Sequence, residues 1–280
     1  MPKKLSTEQI ARYHNDGYLS PINVMTTGEA KVLLDQLTMS ERLQQGELTK
    51  GRNFKPHLIF QWADRLVRHP AILDAVEDLI GPNIRVLSTT VFPKKAGDGA
   101  FVGWHQDGTY FGLVPNNVEV AAWVALSDAS IESGCMEMQV GSHKLGQLHH
   151  SETSDAQHML SLGQTVAEEY QRGASNFTPL RAGEMSLHHT HTIHRSGPNK
   201  AQHRRVGVTL TYIPAEASVR GGLKPSAALV RGADHWHTFE DEPRPQFDMG
   251  PDELKFQAYA NELFRAVYNQ EKKIYERTSA

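Results

Sequence analysis

The stretch Trp104-His105-Gln106-Asp107-Gly108 carries the first decision about this chain. It follows a run of β-forming residues, and in an extended segment successive side chains point to opposite faces. His105 and Asp107 then project to one side and Gln106 to the other. Two donors held that way can occupy adjacent corners of a metal octahedron. A second cluster, residues 183–205, contains His188, His189, His191, His194 and His203, and one imidazole from it would complete a third corner. Two imidazoles and one carboxylate on a single face, with the opposite face open, form the ligand set of non-haem Fe(II) oxygenases. A metal that binds a bidentate 2-oxo acid and then O₂ needs those three open positions. On their own, His105 and Asp107 also fit a surface turn or a structural His–Asp hydrogen bond. The chain has 15 His, and a mononuclear centre uses only one or two of the downstream cluster.

Working outward, residues 84–92, 118–126, 136–140, 184–189 and 206–213 are short runs rich in β-formers with Gly, Pro and Asn between them. That pattern predicts an all-β sandwich or barrel core. The first 80 or so residues read as helical. Ser6-Thr7-Glu8-Gln9 and Thr26-Thr27-Gly28-Glu29 have the spacing of capping boxes. Pro70 opens a helical repeat over 69–80 that Gly81-Pro82 stops. Residues 141–180 are long and polar and predict a partly helical, lid-like insertion. The tail, about 250–277, returns to helix, with Leu254, Phe256, Tyr259, Leu263 and Val267 on one face. The expectation is one domain over 1–280: a helical part to about 82, a β core over about 83–215 and a C-terminal helical extension.

Composition narrows the function. The chain has 280 residues, a net charge of −3 and a single cysteine, Cys135. One cysteine excludes a disulfide framework and any cysteine-rich metal site. The slightly acidic balance gives no footprint for nucleic acid. No apolar run reaches the length of a membrane span, and the first residues lack a signal-peptide pattern. A cytoplasmic protein acting on a small molecule is predicted, with no nucleic-acid or membrane partner; the oligomeric state is not legible.

The chain resembles the phytanoyl-CoA dioxygenase superfamily of Fe(II)/2-oxoglutarate enzymes. The matching pieces run in order: Gly81-Pro82-Asn83-Ile84, Phe92-Pro93-Lys94, Trp104-His105-Gln106-Asp107, Trp123, Ser133-Gly134-Cys135-Met136, Gly141-Ser142-His143, Gly183-Glu184 and His194-Arg195-Ser196-Gly197-Pro198-Asn199, with Arg205 and Tyr212 beyond. The resemblance covers roughly 7–215. It implies a mainly β fold with flanking helices around a double-stranded β-helix (jelly-roll, cupin-like) core. It makes His105, Asp107 and His194 the iron ligands and places Arg205, Ser196 and Trp123 at 2-oxoglutarate. The implied cofactors are Fe(II), 2-oxoglutarate and O₂, and the implied reaction is hydroxylation coupled to formation of succinate and CO₂. Arg204 would face away from the site as a solvated charge. His57, Lys55, Thr109 and Tyr110 are the candidate substrate contacts, and they point to a small polar metabolite such as an amino acid or aminoalkylphosphonate. The halogenase branch shares several of these motifs but lacks the iron-binding carboxylate, so Asp107 disfavours halogenation. Two other readings are a cupin-type centre at His235-Trp236-His237 with Glu240 and a non-catalytic binding protein on the same fold.

Overall fold

Alternation along the strands sorts the β residues into two facing sheets. In this computed structural model, which describes residues 2–48, 52–160 and 163–278 (side chains at 110 and 275–278 apart), the larger sheet has seven strands. Their order is Tyr18–Asn23, Glu184–His189, Val120–Ala125, Arg205–Pro214, Ile84–Lys94, Ser226–Arg231 and Glu240–Asp241. The smaller sheet runs Val102–His105, His194–Ser196, Met136–Gln139, Ser175–Thr178. This is the predicted jelly-roll core.

One face of the larger sheet is apolar and carries the helices. α1 (Thr7–Asp16) and α2 (Thr27–Leu43) begin in the two capping boxes read from the sequence, with Ser6 and Thr26 as N-caps. α3 (Gln61–Val67) and α4 (Pro70–Ile80) follow. Leu37, Trp62, Leu66 and Ile72 join Val86, Val124, Val208 and Leu210 of the sheet in one buried core. Each such side chain contributes about 1.5–3 kcal/mol by leaving water. On the opposite face, Ser88, Thr90, Thr209 and Thr211 line a cavity between the sheets.

Three elements differ from expectation. Tyr18–Asn23, inside the region read as helical, is an edge strand against Glu184–His189. Gly17, at φ 86°, turns the chain out of α1, and an edge position accommodates Pro21, which has no N–H to donate. The larger sheet also continues past 215 through Ser226–Arg231. Residues 141–180 are partly helical, through 3-10 turns at Ser142–Leu145 and Glu168–Arg172, but their last strand, Ser175–Thr178, is part of the core and edges the smaller sheet. α5 (Pro251–Thr278) closes the chain.

Candidate functional site

His105 and His194 are cross-strand partners in the smaller sheet, which brings their rings to 4.1 Å between centroids. Asp107 arrives differently from the sequence expectation. The strand ends at His105, and Asp107 opens a 3-10 turn, Asp107–Tyr110. Gly108 makes the turn possible, because a Cβ there would lie 2.2 Å from Thr190 Oγ1. Asp107 Oδ1 sits 3.4 Å from His105 Nε2 and 3.6 Å from His194 Nε2. The remaining ring nitrogens donate to backbone: His105 Nδ1 to Gly103 at 2.9 Å and His194 Nδ1 to Thr192 at 3.0 Å. With Nδ1 carrying the donated hydrogen, Nε2 is the nitrogen of each ring that is placed to offer a lone pair to a metal. Burial, reinforced by His105, holds His194 well below its usual range and so neutral. Burial would raise Asp107, but the surrounding imidazoles outweigh it and hold the carboxyl well below its usual range. Two imidazole nitrogens and a carboxylate oxygen thus converge, a donor set that fits a divalent cation. Among the described residues these three are the one such group, with ligand atoms within 4.8 Å of one another.

Sequence reasoning missed His188. Its Nε2 donates to Asp107 Oδ2 at 2.9 Å, leaving Oδ1 to face the two other rings. Partners of this kind fix a ligand's orientation, and losing them typically costs about 10–100-fold in metal affinity. His188→Phe is expected to weaken Co(II) binding by that amount in a titration. His191→Ala is expected to change it little, since that side chain does not line the cavity.

The second half of the site is cationic. Arg205 is 2% exposed, and its guanidinium stacks over Trp123 at 5.1 Å. Its one hydrogen bond among the described residues is to the Gly134 carbonyl, 3.1 Å away, and Nε has none. Gly207 permits the stack, since a Cβ there would meet the Trp123 ring at 1.9 Å. Register neighbour Lys94 is also buried and donates to Ser196 Oγ at 2.6 Å. Burial pushes its ammonium down to about 6, with Arg205 adding to the fall and Asp98 and Cys135 opposing it. Two buried cations with no carboxylate between them among the described residues are costly unless an anion joins them. Lys94 was legible only as part of a motif, without a role.

Several sequence candidates lie elsewhere. Lys55 and His57 do not line the cavity. Both are buried on Glu242, Lys55 by a short ion pair and His57 Nε2 at 2.8 Å. Burial would raise Glu242, but Lys55 and His57 pull it down to about 2. They are a structural ion cluster, which corrects their reading as substrate contacts. Thr109 lines the cavity but spends its hydroxyl on the Gln106 carbonyl at 3.1 Å. The Tyr110 side chain lies outside the described residues. Arg204 is not a solvated charge; it grips Glu41 of α2 at 2.6 and 2.8 Å. His235, His237 and Glu240 form no metal-ligating group among the described residues.

Residues 13–207 match the family model described as phytanoyl-CoA dioxygenase (PhyH). The chain belongs to the phytanoyl-CoA dioxygenase family. Among relatives, a probable alpha-ketoglutarate-dependent hypophosphite dioxygenase of Stutzerimonas stutzeri is 31% identical over 217 residues, 76% of this chain and 73% of that one. The human peroxisomal phytanoyl-CoA dioxygenase is 28% identical over 163 residues, 56% of this chain and 48% of that enzyme, so about half its length is matched. Among solved structures, the non-heme monooxygenase ThoJ in its apo form superposes with a TM-score of 0.81 at 34% identity, covering 95% of this chain and 99% of that one. Its Ni complex gives 0.77 at 34% identity, covering 94% and 99%.

Proposed function

We propose that this family member is an Fe(II)- and 2-oxoglutarate-dependent dioxygenase that hydroxylates an unactivated C–H bond of a small molecule. One observation carries the reading. The converging set of His105 Nε2, Asp107 Oδ1 and His194 Nε2 shares a cavity with Arg205, a buried guanidinium with no carboxylate partner among the described residues. The three donors would hold iron by one face. When bound, iron with 2-oxoglutarate and O₂ supplies the oxidant, and the cosubstrate leaves as succinate and CO₂. The chain's own residues do the rest. Arg205 pairs with the distal carboxylate, Trp123 backs that guanidinium, and Ser196, oriented by Lys94, offers a hydroxyl beside it. His188 keeps one carboxylate oxygen of Asp107 occupied. The apolar walls exclude water from the reacting carbon. The hypophosphite dioxygenase relative and the Ni-binding monooxygenase support this assignment. Anaerobic addition of Fe(II) and 2-oxoglutarate is expected to raise a weak visible charge-transfer band, and its absence overturns the proposal.

Lys94 makes the cosubstrate step pH-dependent. Burial pushes its ammonium down to about 6 in the protein alone, and a dianion on Arg205, reached through Ser196, would raise it. Affinity for 2-oxoglutarate is then greatest below about 6 and falls as pH rises toward the raised value. Calorimetry in buffers of different ionisation enthalpy is expected to show net proton uptake near neutral pH, and Lys94→Met is expected to abolish it.

A further inference from the structure

The cavity has a second wall that the family match does not reach. Its volume is about 760 Å³, toward the upper end of the range of about 300–1,000 Å³ that houses drug-sized ligands. 2-Oxoglutarate, a five-carbon diacid, fills only the end near Arg205. The opposite wall is one face of α5. Asn261, Phe264, Arg265, Tyr268 and Lys272 line the cavity at spacings of three and four, and all lie beyond residues 13–207. This wall is held in place. Tyr268 accepts from Gln164 at 2.6 Å, Lys272 pairs with Glu152 at 2.7 Å, and Glu271 is ion-paired to Arg220.

Its chemistry has two parts. Phe264 packs on Phe54 at 4.8 Å and on Phe111 at 5.6 Å between ring centroids, and all three line the cavity. Charge distribution supplies the other part. Arg195 is paired with Glu137 at 2.7 Å and Lys272 with Glu152, while Arg205 belongs to the cosubstrate end. Arg265 has no hydrogen-bond or ion-pair partner among the described residues and is exposed. Among the described residues the only carboxylate lining the cavity is Asp107, which faces the imidazoles. A free guanidinium at the open side is therefore available to an anion that enters with the substrate.

We propose that α5 reads the substrate, and that the substrate is an amphipathic acid. Its alkyl or aryl body lies on Phe54, Phe111 and Phe264, and its oxyanion, a carboxylate or phosphate, is held by Arg265. This rests on the dioxygenase reading above and replaces the expectation of an amino-acid-sized polar metabolite. That expectation leaned on Lys55, His57, Thr109 and Tyr110; Lys55 and His57 are outside the cavity, Thr109 spends its hydroxyl on the Gln106 carbonyl, and a ligand so small would leave the aromatic surface wet.

The test uses the full chain loaded anaerobically with Fe(II) and 2-oxoglutarate. Decanoate, phenylbutanoate, decyl phosphate, decanamide and proline are titrated by calorimetry. Decanoate, phenylbutanoate or decyl phosphate is expected to bind about tenfold or more tighter than decanamide or proline, and the better head group, carboxylate or phosphate, identifies the oxyanion. Arg265→Gln is expected to erase the acid–amide difference and leave 2-oxoglutarate affinity unchanged. Phe264→Ala is expected to weaken acid and amide alike. Equal binding of decanoate and decanamide, discrimination retained in Arg265→Gln, proline as the tightest ligand, or no acid binding at millimolar concentration each overturns the proposal. The charge-transfer band is read in the same samples. If it is missing, the dioxygenase reading fails; if it is present without acid–amide discrimination, only the substrate class fails.

Discussion

Alanine at any one of His105, Asp107 and His194 is expected to abolish succinate formation while leaving the fold in place. The three donors meet at one point, with Oδ1 3.4 and 3.6 Å from the two Nε2 atoms, so each is placed to bind the metal. Removing one donor costs iron affinity, whereas removing either ligand imidazole from the apo protein leaves the strands and the Asp107–His188 contact in place. Thermal melts separate the two effects. Metal at 100 times its Kd stabilises a protein by about 2.7 kcal/mol, so added Fe(II) or Co(II) is expected to raise the wild-type Tm and leave each variant's unchanged. Apo Tm values are expected to stay close to wild type for the two histidine variants and to fall somewhat for Asp107→Ala, which leaves buried His188 Nε2 without its acceptor. If His194→Ala kept activity and His191→Ala lost it, the third ligand would be His191. Asp107 also separates hydroxylation from halogenation, because its carboxylate fills the corner a halide would need. Wild-type protein in high bromide is expected to give only hydroxylated product by mass spectrometry. A brominated main product would remove Asp107 from the ligand set.

The parts of the site that repeat with the period of a strand were legible in the sequence, and the parts made by turns or distant packing were not. His105 and His194 sit on strands whose β-forming runs were visible, and their cross-strand pairing follows from the fold. Asp107 was found for an incomplete reason. Its spacing of two suggested strand alternation, yet a 3-10 turn that Gly108 permits delivers it. His188 was hidden among five histidines because its role depends on a 2.9 Å contact across 81 positions, and no local period encodes that. Lys55 and His57 misled for a related reason. A Lys and a His near a predicted site look like substrate contacts until Glu242, from the opposite end of the chain, is found neutralising both. The strand Tyr18–Asn23 escaped because it is a lone edge strand between two well-capped helices. The α5 wall was visible as an amphipathic helix, but which of its faces meets the cavity is settled only by packing.

Arg205→Ala is expected to raise the apparent KM for 2-oxoglutarate by about 30- to 1000-fold, corresponding to about 2–4 kcal/mol for a lost charge-assisted contact in a buried setting. The same change is expected to leave the apo protein as stable as wild type or more so. Among the described residues Arg205 is buried with a single hydrogen bond, to Gly134, an orphaned Nε and no anion beside it, and burial lowers its pKa to about 10. A charge held that way opposes folding until an anion arrives. Arg205→Lys is not a conservative rescue, because a point ammonium loses both the planar fork and the stack on Trp123. Its KM is expected to stay near that of the alanine variant. Arg204 gives the control on the adjacent residue. Its guanidinium faces the other side of the sheet and clamps Glu41 of α2 at 2.6 and 2.8 Å. Arg204→Ala is therefore expected to lower Tm and leave KM near the wild-type value. Steady-state kinetics and melts on the two variants thus move in opposite directions. The reverse ranking, with KM following Arg204 and stability following Arg205, would mean that the cosubstrate's carboxylate is held on the helical side of the sheet and not in the cavity.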